Sequence, residues 1–182
     1  MFKTLAYIGK KLNDLDILWG VGGSILLNQF ELIDIPHDID IIVDIKDISR
    51  ADEFLKSMGE KKQWEKTHRY STRYFYEYVI NGFDVDVMAG FKVNHRNGVF
   101  EYSFDNHSIS EYKEINGIDI PFTSLEDWYV IYQLIPNGEK KADKIESYIL
   151  SRGMKNSALL ERALEKDLPI EVKERVKLLL RS

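Results

Sequence analysis

Three aspartate pairs of the form Asp-x-Asp occur in this chain, at Asp14/Asp16, Asp38/Asp40 and Asp84/Asp86. In an extended strand alternate side chains leave the same face, so each pair can present two carboxylates together. Carboxylates about 4 Å apart repel by about 4 kcal/mol at an effective dielectric of about 20. That is a large part of the roughly 5–15 kcal/mol that keeps a domain folded. Clustered acids must therefore titrate, face water or hold a cation. All-oxygen ligands suit Mg²⁺ or Mn²⁺. The four histidines, at 37, 68, 95 and 107, have no close zinc-type spacing, and the chain has no cysteine.

A second element of the same chemistry precedes the middle pair. Trp19-Gly20-Val21-Gly22-Gly23-Ser24-Ile25-Leu26-Leu27 begins as a strand and continues as a helix, with glycines at the join. Main-chain amides at a helix start, together with the positive end of its dipole, attract anions. Gly22 and Gly23 would let phosphate oxygens approach the backbone, and the Ser24 hydroxyl could add a hydrogen bond. The segment matches neither G-x-x-x-x-G-K-[ST] nor G-x-G-x-x-G. By itself it is a weak signal; beside a carboxylate pair it suggests a phosphate and a divalent ion held together. Asp14/Asp16, by contrast, reads as the turn before the first strand.

Several elements have to bring these residues together. A helix is expected over residues 2–13, a buried strand over 16–21, and a helix from Ser24 to about Leu32 whose Ile25, Leu26 and Phe30 share a face. Residues 38–45 alternate acids and aliphatics and then run on apolar, as a half-exposed strand does on entering a core. Ser49 is the expected N-cap of a helix running to Met58, with Gly59 ending it. Asn81-Gly82 between two alternating runs predicts a type I′ hairpin, in which Ile80 pairs with Phe83. That register places Tyr74, Tyr76, Tyr78 and Ile80 with Phe83, Val85, Val87 and Ala89 on a core face. Asp84, Asp86 and, opposite Asp86, Glu77 fall on the other. Residues 99–104 and 117–122 hold further short strand-like runs. From Thr123 the pattern is helical: Ser124 caps a helix with Asp127 as its capping-box partner, Pro136-Asn137-Gly138 breaks it, and three more helices follow.

Composition sets outer limits. The 182 residues are 44% hydrophobic and 12% aromatic, enough for a sizeable core. The absence of cysteine excludes disulfides and thiolate catalysis and fits a reducing cytoplasm. No stretch approaches the roughly 20 apolar residues of a membrane span, and the N-terminus does not read as a signal peptide. Net charge is −5, with 14 Lys/Arg against 20 Asp/Glu in residues 1–123 and 11 against 10 in residues 124–182. An acidic chain is poorly suited to double-stranded DNA, where affinity comes from neutralising phosphates. The local exception is residues 61–73, with Lys61, Lys62, Lys66, Arg69 and Arg73, which read as a solvated turn or as a contact for a phosphate-bearing acceptor.

Val21-Gly22-Gly23-Ser24, a gap of thirteen residues, Asp38-Ile39-Asp40-Ile41 and then Val85-Asp86-Val87 form an ordered set. It resembles the nucleotidyltransferase superfamily, the DNA polymerase beta-like fold that includes antibiotic adenylyltransferases and toxin-type transferases. The resemblance covers residues 17–88. It implies an α/β (α+β) fold with a mixed sheet, a catalytic domain over 1–122 and a C-terminal helical bundle over 123–182. It further implies transfer of a nucleoside monophosphate, AMP from ATP, to an acceptor hydroxyl, with release of pyrophosphate. The resemblance leaves the acceptor open: a small molecule, a protein and an RNA end all remain. Asp38, Asp40 and Asp86 would bind Mg²⁺ or Mn²⁺, Asp86 being preferred to Asp84 because it lies deeper in its strand. Gly22, Gly23 and Ser24 would bind the triphosphate together with a lysine of the helical part, Lys141 or Lys144. Where members of the superfamily often carry an arginine or threonine before the acid pair, this chain has Pro36-His37. A non-catalytic relative that binds a nucleotide or a protein is the alternative; a D-x-D glycosyltransferase is disfavoured by chain length and by the glycine turn.

Overall fold

The computed structural model describes residues 1–63 and 70–182. In chain order the elements of the first half are α1 (Phe2–Asp14), β1 (Trp19–Val21), α2 (Gly23–Gln29), β2 (Ile39–Val43), α3 (Ile48–Met58), β3 (Glu60–Lys61), β4 (Tyr74–Ile80) and β5 (Phe83–Ala89). There follow β6 (Lys92–His95), β7 (Gly98–Glu101), a 3₁₀ turn (Asn106–Ser108), β8 (Ile109–Ile115) and β9 (Ile118–Thr123). Four helices complete the chain: α4 (Leu125–Leu134), α5 (Glu139–Arg152), α6 (Ser157–Leu164) and α7 (Ile170–Leu179). Lys66, His68 and Arg69 of the basic stretch lie outside the described residues.

Seven strands form one mixed sheet in the order β3-β4-β5-β2-β1-β9-β8, with β6 and β7 as a separate hairpin. β2 and β5 run parallel, as do β1 and β9; the other neighbours are antiparallel. The β4–β5 hairpin has the expected register, Ile80 opposite Phe83 and Glu77 opposite Asp86. Asn81 and Gly82 both take positive φ, 52° and 78°, as a type I′ turn demands. Of its aromatic face, Tyr78, Ile80, Val85, Val87 and Ala89 are buried, whereas Tyr74, Tyr76 and Phe83 are only partly covered. α1 packs on β8 and β9 and α3 on β4, while α4 is the centre of the helical part and contacts α5, α6 and α7.

Several boundaries differ from the sequence expectation, each for a local reason. β1 starts at Trp19 because Asp16, at φ 50°, closes a turn in which its N–H reaches the Asn13 carbonyl. α2 stops at Gln29 because Glu31 adopts φ 58° and the Leu32 N–H returns to the Leu27 carbonyl, a left-handed helix end made without glycine. α3 begins before Ser49: the Asp47 carbonyl already accepts from the Ala51 N–H, and Ser49 lies inside the helix. Ser124 does cap α4, accepting from the Asp127 N–H at 3.1 Å. The Asp127 carboxylate does not complete a capping box; it accepts from the Tyr102 hydroxyl at 3.0 Å and lies 3.7 Å from Arg162.

Candidate active site

β2 and β5 are neighbours in register, so Asp40 stands directly beside Asp86, and Glu77 of β4 is next in the same row. The alternate residues Ile39, Ile41, Val85 and Val87 are fully buried and fix which face the acids occupy. Asp38, two residues before Asp40, joins them. One carboxylate oxygen from each of Asp38, Asp40 and Asp86 lies within 4.8 Å of the other two. Asp84 does not belong to this group: it is exposed and forms an ion pair with Lys62 at 2.6 Å. The structure thus separates the two acids that sequence alone left as alternatives. Asp14 is paired with Lys10 at 3.1 Å, outside the group.

The glycine turn is fitted against these acids. The Gly22 N–H donates to the Asp40 carbonyl at 3.0 Å. Gly23 has φ 57°, and a Cβ there would sit 1.7 Å from Asp40 Oδ2. A Cβ on Gly22 would strike the Trp128 indole at 2.0 Å. The buried Ser24 hydroxyl donates to Asp38 Oδ1 at 2.9 Å and accepts from the His37 N–H at 3.0 Å, while its main-chain N–H donates to the Asp40 carboxylate. Two acids are therefore held by the start of α2, whose dipole end favours negative charge. The His37 ring is at the surface.

Burial first, then the charges of Asp38 and Asp86, pushes the Asp40 carboxyl well above the ordinary carboxylate range; Lys141 opposes this. Burial, followed by Glu77, Asp38 and Asp84, raises Asp86 to about 7. Lys141 lies in the first turn of α5, near Asp40, with its Nζ 5.0 Å from the Tyr132 ring centroid. Lys144 is taken up elsewhere, donating to the Leu32 carbonyl at 2.8 Å. Tyr132 and Trp128, not singled out from the sequence, complete the wall: burial and the charges of Asp40 and Asp38 raise the Tyr132 phenol far above its ordinary value. Their i, i+4 spacing in α4 was legible, but it reads as core packing.

The three acids fit a divalent cation. Their oxygens are close, their donor set is all oxygen, and in its absence the protein bears the cost of juxtaposed, partly buried charge. A pH dependence follows. Between the unfolded value of 3.8 and the folded value of about 7, Asp86 binds a proton only in the folded state. Metal-free protein is thus expected to lose stability as pH rises through that window, with Asp40, raised in the same direction, adding to the loss. Asp86→Asn should raise metal-free stability at pH 8 by on the order of 1–3 kcal/mol and flatten the profile. Asp84→Asn should leave metal binding near wild type and shift the profile only slightly towards lower pH, since Asp84 is the smallest of the charges that raise Asp86. Denaturant melts of the three proteins in chelator, from pH 5 to 8, read this directly.

The architecture is that of solved nucleotidyltransferases, and this likeness supports an enzyme of that general kind. A Thermotoga maritima protein provisionally assigned as a nucleotidyltransferase superposes with a TM-score of 0.59 at 26% identity, over 82% of this chain and 92% of its own. The antibiotic-resistance factor ANT(2")-Ia, solved with adenylyl-2"-tobramycin, superposes with a TM-score of 0.58 at 12% identity, over 99% and 94%. The lincosamide antibiotic adenylyltransferase LnuA, solved with lincomycin, gives 0.53 at 17% identity, over 80% and 96%. No protein-family profile and no curated protein matches the sequence. No helix among the described residues is long and apolar enough to cross a membrane.

Proposed function

We propose that this protein is a metal-dependent nucleotidyltransferase that moves a nucleoside monophosphate, AMP from ATP, onto an acceptor hydroxyl and releases pyrophosphate. The observation that carries the reading is the meeting of Asp38, Asp40 and Asp86 beside the glycine turn. Residues 1–122 act as the catalytic domain and 123–182 as a helical domain that supplies Lys141. Asp38, Asp40 and Asp86 would hold Mg²⁺ or Mn²⁺, which when bound neutralises triphosphate charge and acidifies the acceptor hydroxyl.

The chain's own groups supply the rest. The Gly22-Gly23-Ser24 turn, at the positive end of α2, receives phosphate oxygens and fixes Asp38 and Asp40 in place. Lys141, whose charge acts on Asp40, adds positive charge to the site. Asp86, beside Asp40 in the carboxylate row, would accept the hydroxyl proton as the oxygen attacks the α-phosphorus in line. Pyrophosphate then leaves. Little covalent chemistry is asked of the protein; positioning and electrostatics carry the rate, as in other phosphoryl transfers. A decayed, purely binding relative would have no use for three carboxylates held at this cost. The cytoplasm is the proposed compartment.

The test is direct. The protein is incubated with each α-labelled nucleoside triphosphate and Mg²⁺ or Mn²⁺, against aminoglycosides, lincosamides, RNA 3′ ends and protein acceptors. Metal-dependent label transfer with equimolar pyrophosphate release is expected for ATP. Metal-independent nucleotide binding, with no pyrophosphate released from the triphosphate in the presence of any acceptor, would overturn the reading.

A further inference from the structure

We propose that Tyr132 is a positioning residue, whose ring face holds the Lys141 ammonium over the acid cluster where it meets the triphosphate. The inference rests on the reading of Lys141 as a triphosphate-binding residue and adds the means by which the lysine is placed.

Lysine has a long, flexible stem, and a lone lysine on the first turn of a helix would sample many directions. Three features restrict this one. First, Gly138 brings α5 tight against the end of α4: a Cβ there would overlap the Tyr132 carbonyl oxygen at 2.1 Å. The Lys141 N–H bonds the Gly138 carbonyl at 2.9 Å, so the first turn of α5 is built on that contact. Second, Lys141 Nζ lies 5.0 Å from the centroid of the Tyr132 ring, within cation–π range. Third, the ring itself is fixed. Tyr132 is 2% exposed and packs on Trp128 at 5.3 Å between centroids. Trp128 in turn donates from Nε1 to Thr123 Oγ1 at 2.8 Å, and Thr123 Oγ1 donates to the Val21 carbonyl at 2.8 Å.

The series closes on the strand residue just before Gly22, while the same indole fills the space above Gly22. One rigid line of contacts therefore runs from the glycine turn through Thr123, Trp128 and Tyr132 to Lys141. α4 thus links the turn to the lysine. A desolvated ring of this kind confers order on the ammonium without neutralising it, which an acidic partner would do.

Two readouts test this. In the ligand-free wild type, the ε-methylene protons of Lys141, assigned by their absence in Lys141→Met, should resonate upfield of those of other lysines, because they lie over a ring face. The shift should persist in Tyr132→Phe and vanish in Tyr132→Leu. In calorimetric titrations with Mg·ATP, Tyr132→Leu should weaken binding about tenfold and Tyr132→Phe should restore it. In the Lys141→Met background, Tyr132→Leu should have no further effect. A Lys141 signal without ring shift, or an equal loss of affinity in both backgrounds, overturns the proposal and leaves Tyr132 as packing alone. A wild type that shows the ring shift but binds no Mg·ATP would instead overturn the proposed function and the positioning role that rests on it.

Discussion

Asp40→Asn is expected to lower nucleotidyl transfer by about a thousandfold or more while leaving the metal-free protein as stable as wild type or more so. Both halves come from the same environment. Asp40 sits between Asp38 and Asp86, its carboxyl raised by burial and by their charges. An amide keeps the volume and can still meet the Ser24 N–H, yet it removes a charge that the fold bears at a cost. Asp38→Asn should behave alike, with the added loss of a charged partner for the Ser24 hydroxyl. Initial rates of label transfer and denaturant melts in chelator check the pair. Activity within tenfold of wild type in either variant would remove these residues from the chemistry.

Gly23→Ala should have the second largest effect, and it should strike fold and activity together. A left-handed alanine costs on the order of 1–3 kcal/mol by itself. The added methyl would also lie 1.7 Å from Asp40 Oδ2, so the carboxylate or the turn has to move. Transfer is expected to fall about a hundredfold, since displacement of reacting groups by about 1 Å has that effect. Gly82→Ala is the matched control. It has φ 78° but nothing within 4 Å of the new methyl. It should carry only the backbone penalty, about 1–2 kcal/mol, with kcat unchanged. Similar activity loss in both variants would mean that Gly23 acts through general stability, not through Asp40.

Much of this site could be read in the sequence because its determinants are local. The Asn81-Gly82 turn fixes the β4–β5 register by backbone geometry, and period-two alternation fixes which face Asp86 occupies. The pairing of β2 with β5 was not local: it joins residues more than forty positions apart, and only the order of the motifs suggested it. Asp86 was preferred to Asp84 only for its depth in the strand; the sheet places it beside Asp40 and leaves Asp84 to Lys62.

The misses are physical in origin. β8 is an edge strand that alternates weakly and exposes Tyr112, so it carries little core signal. The end of α2 uses Glu31 in a left-handed conformation where a glycine would have announced the stop. Ser24 was expected to serve the phosphates through its hydroxyl; in the structure that hydroxyl is bonded to Asp38. Tyr132 and Trp128 were hidden among core aromatics; Trp128 gains its place from Gly22, against which its indole packs, and Tyr132 from Trp128 and Lys141.

The most direct test of the central claim, that Asp38, Asp40 and Asp86 act as one divalent-ion site facing a triphosphate, is thermal unfolding with ATP alone, Mn²⁺ alone and both together. With both present at about a hundred times the dissociation constant, linkage adds about 2.7 kcal/mol, which for a chain of this size is a rise in Tm of about 5–10 °C. The account predicts that rise for wild type, little from ATP alone, and none in Asp40→Asn. An equal rise with ATP whether or not metal is present, or one that survives in Asp40→Asn, would contradict it.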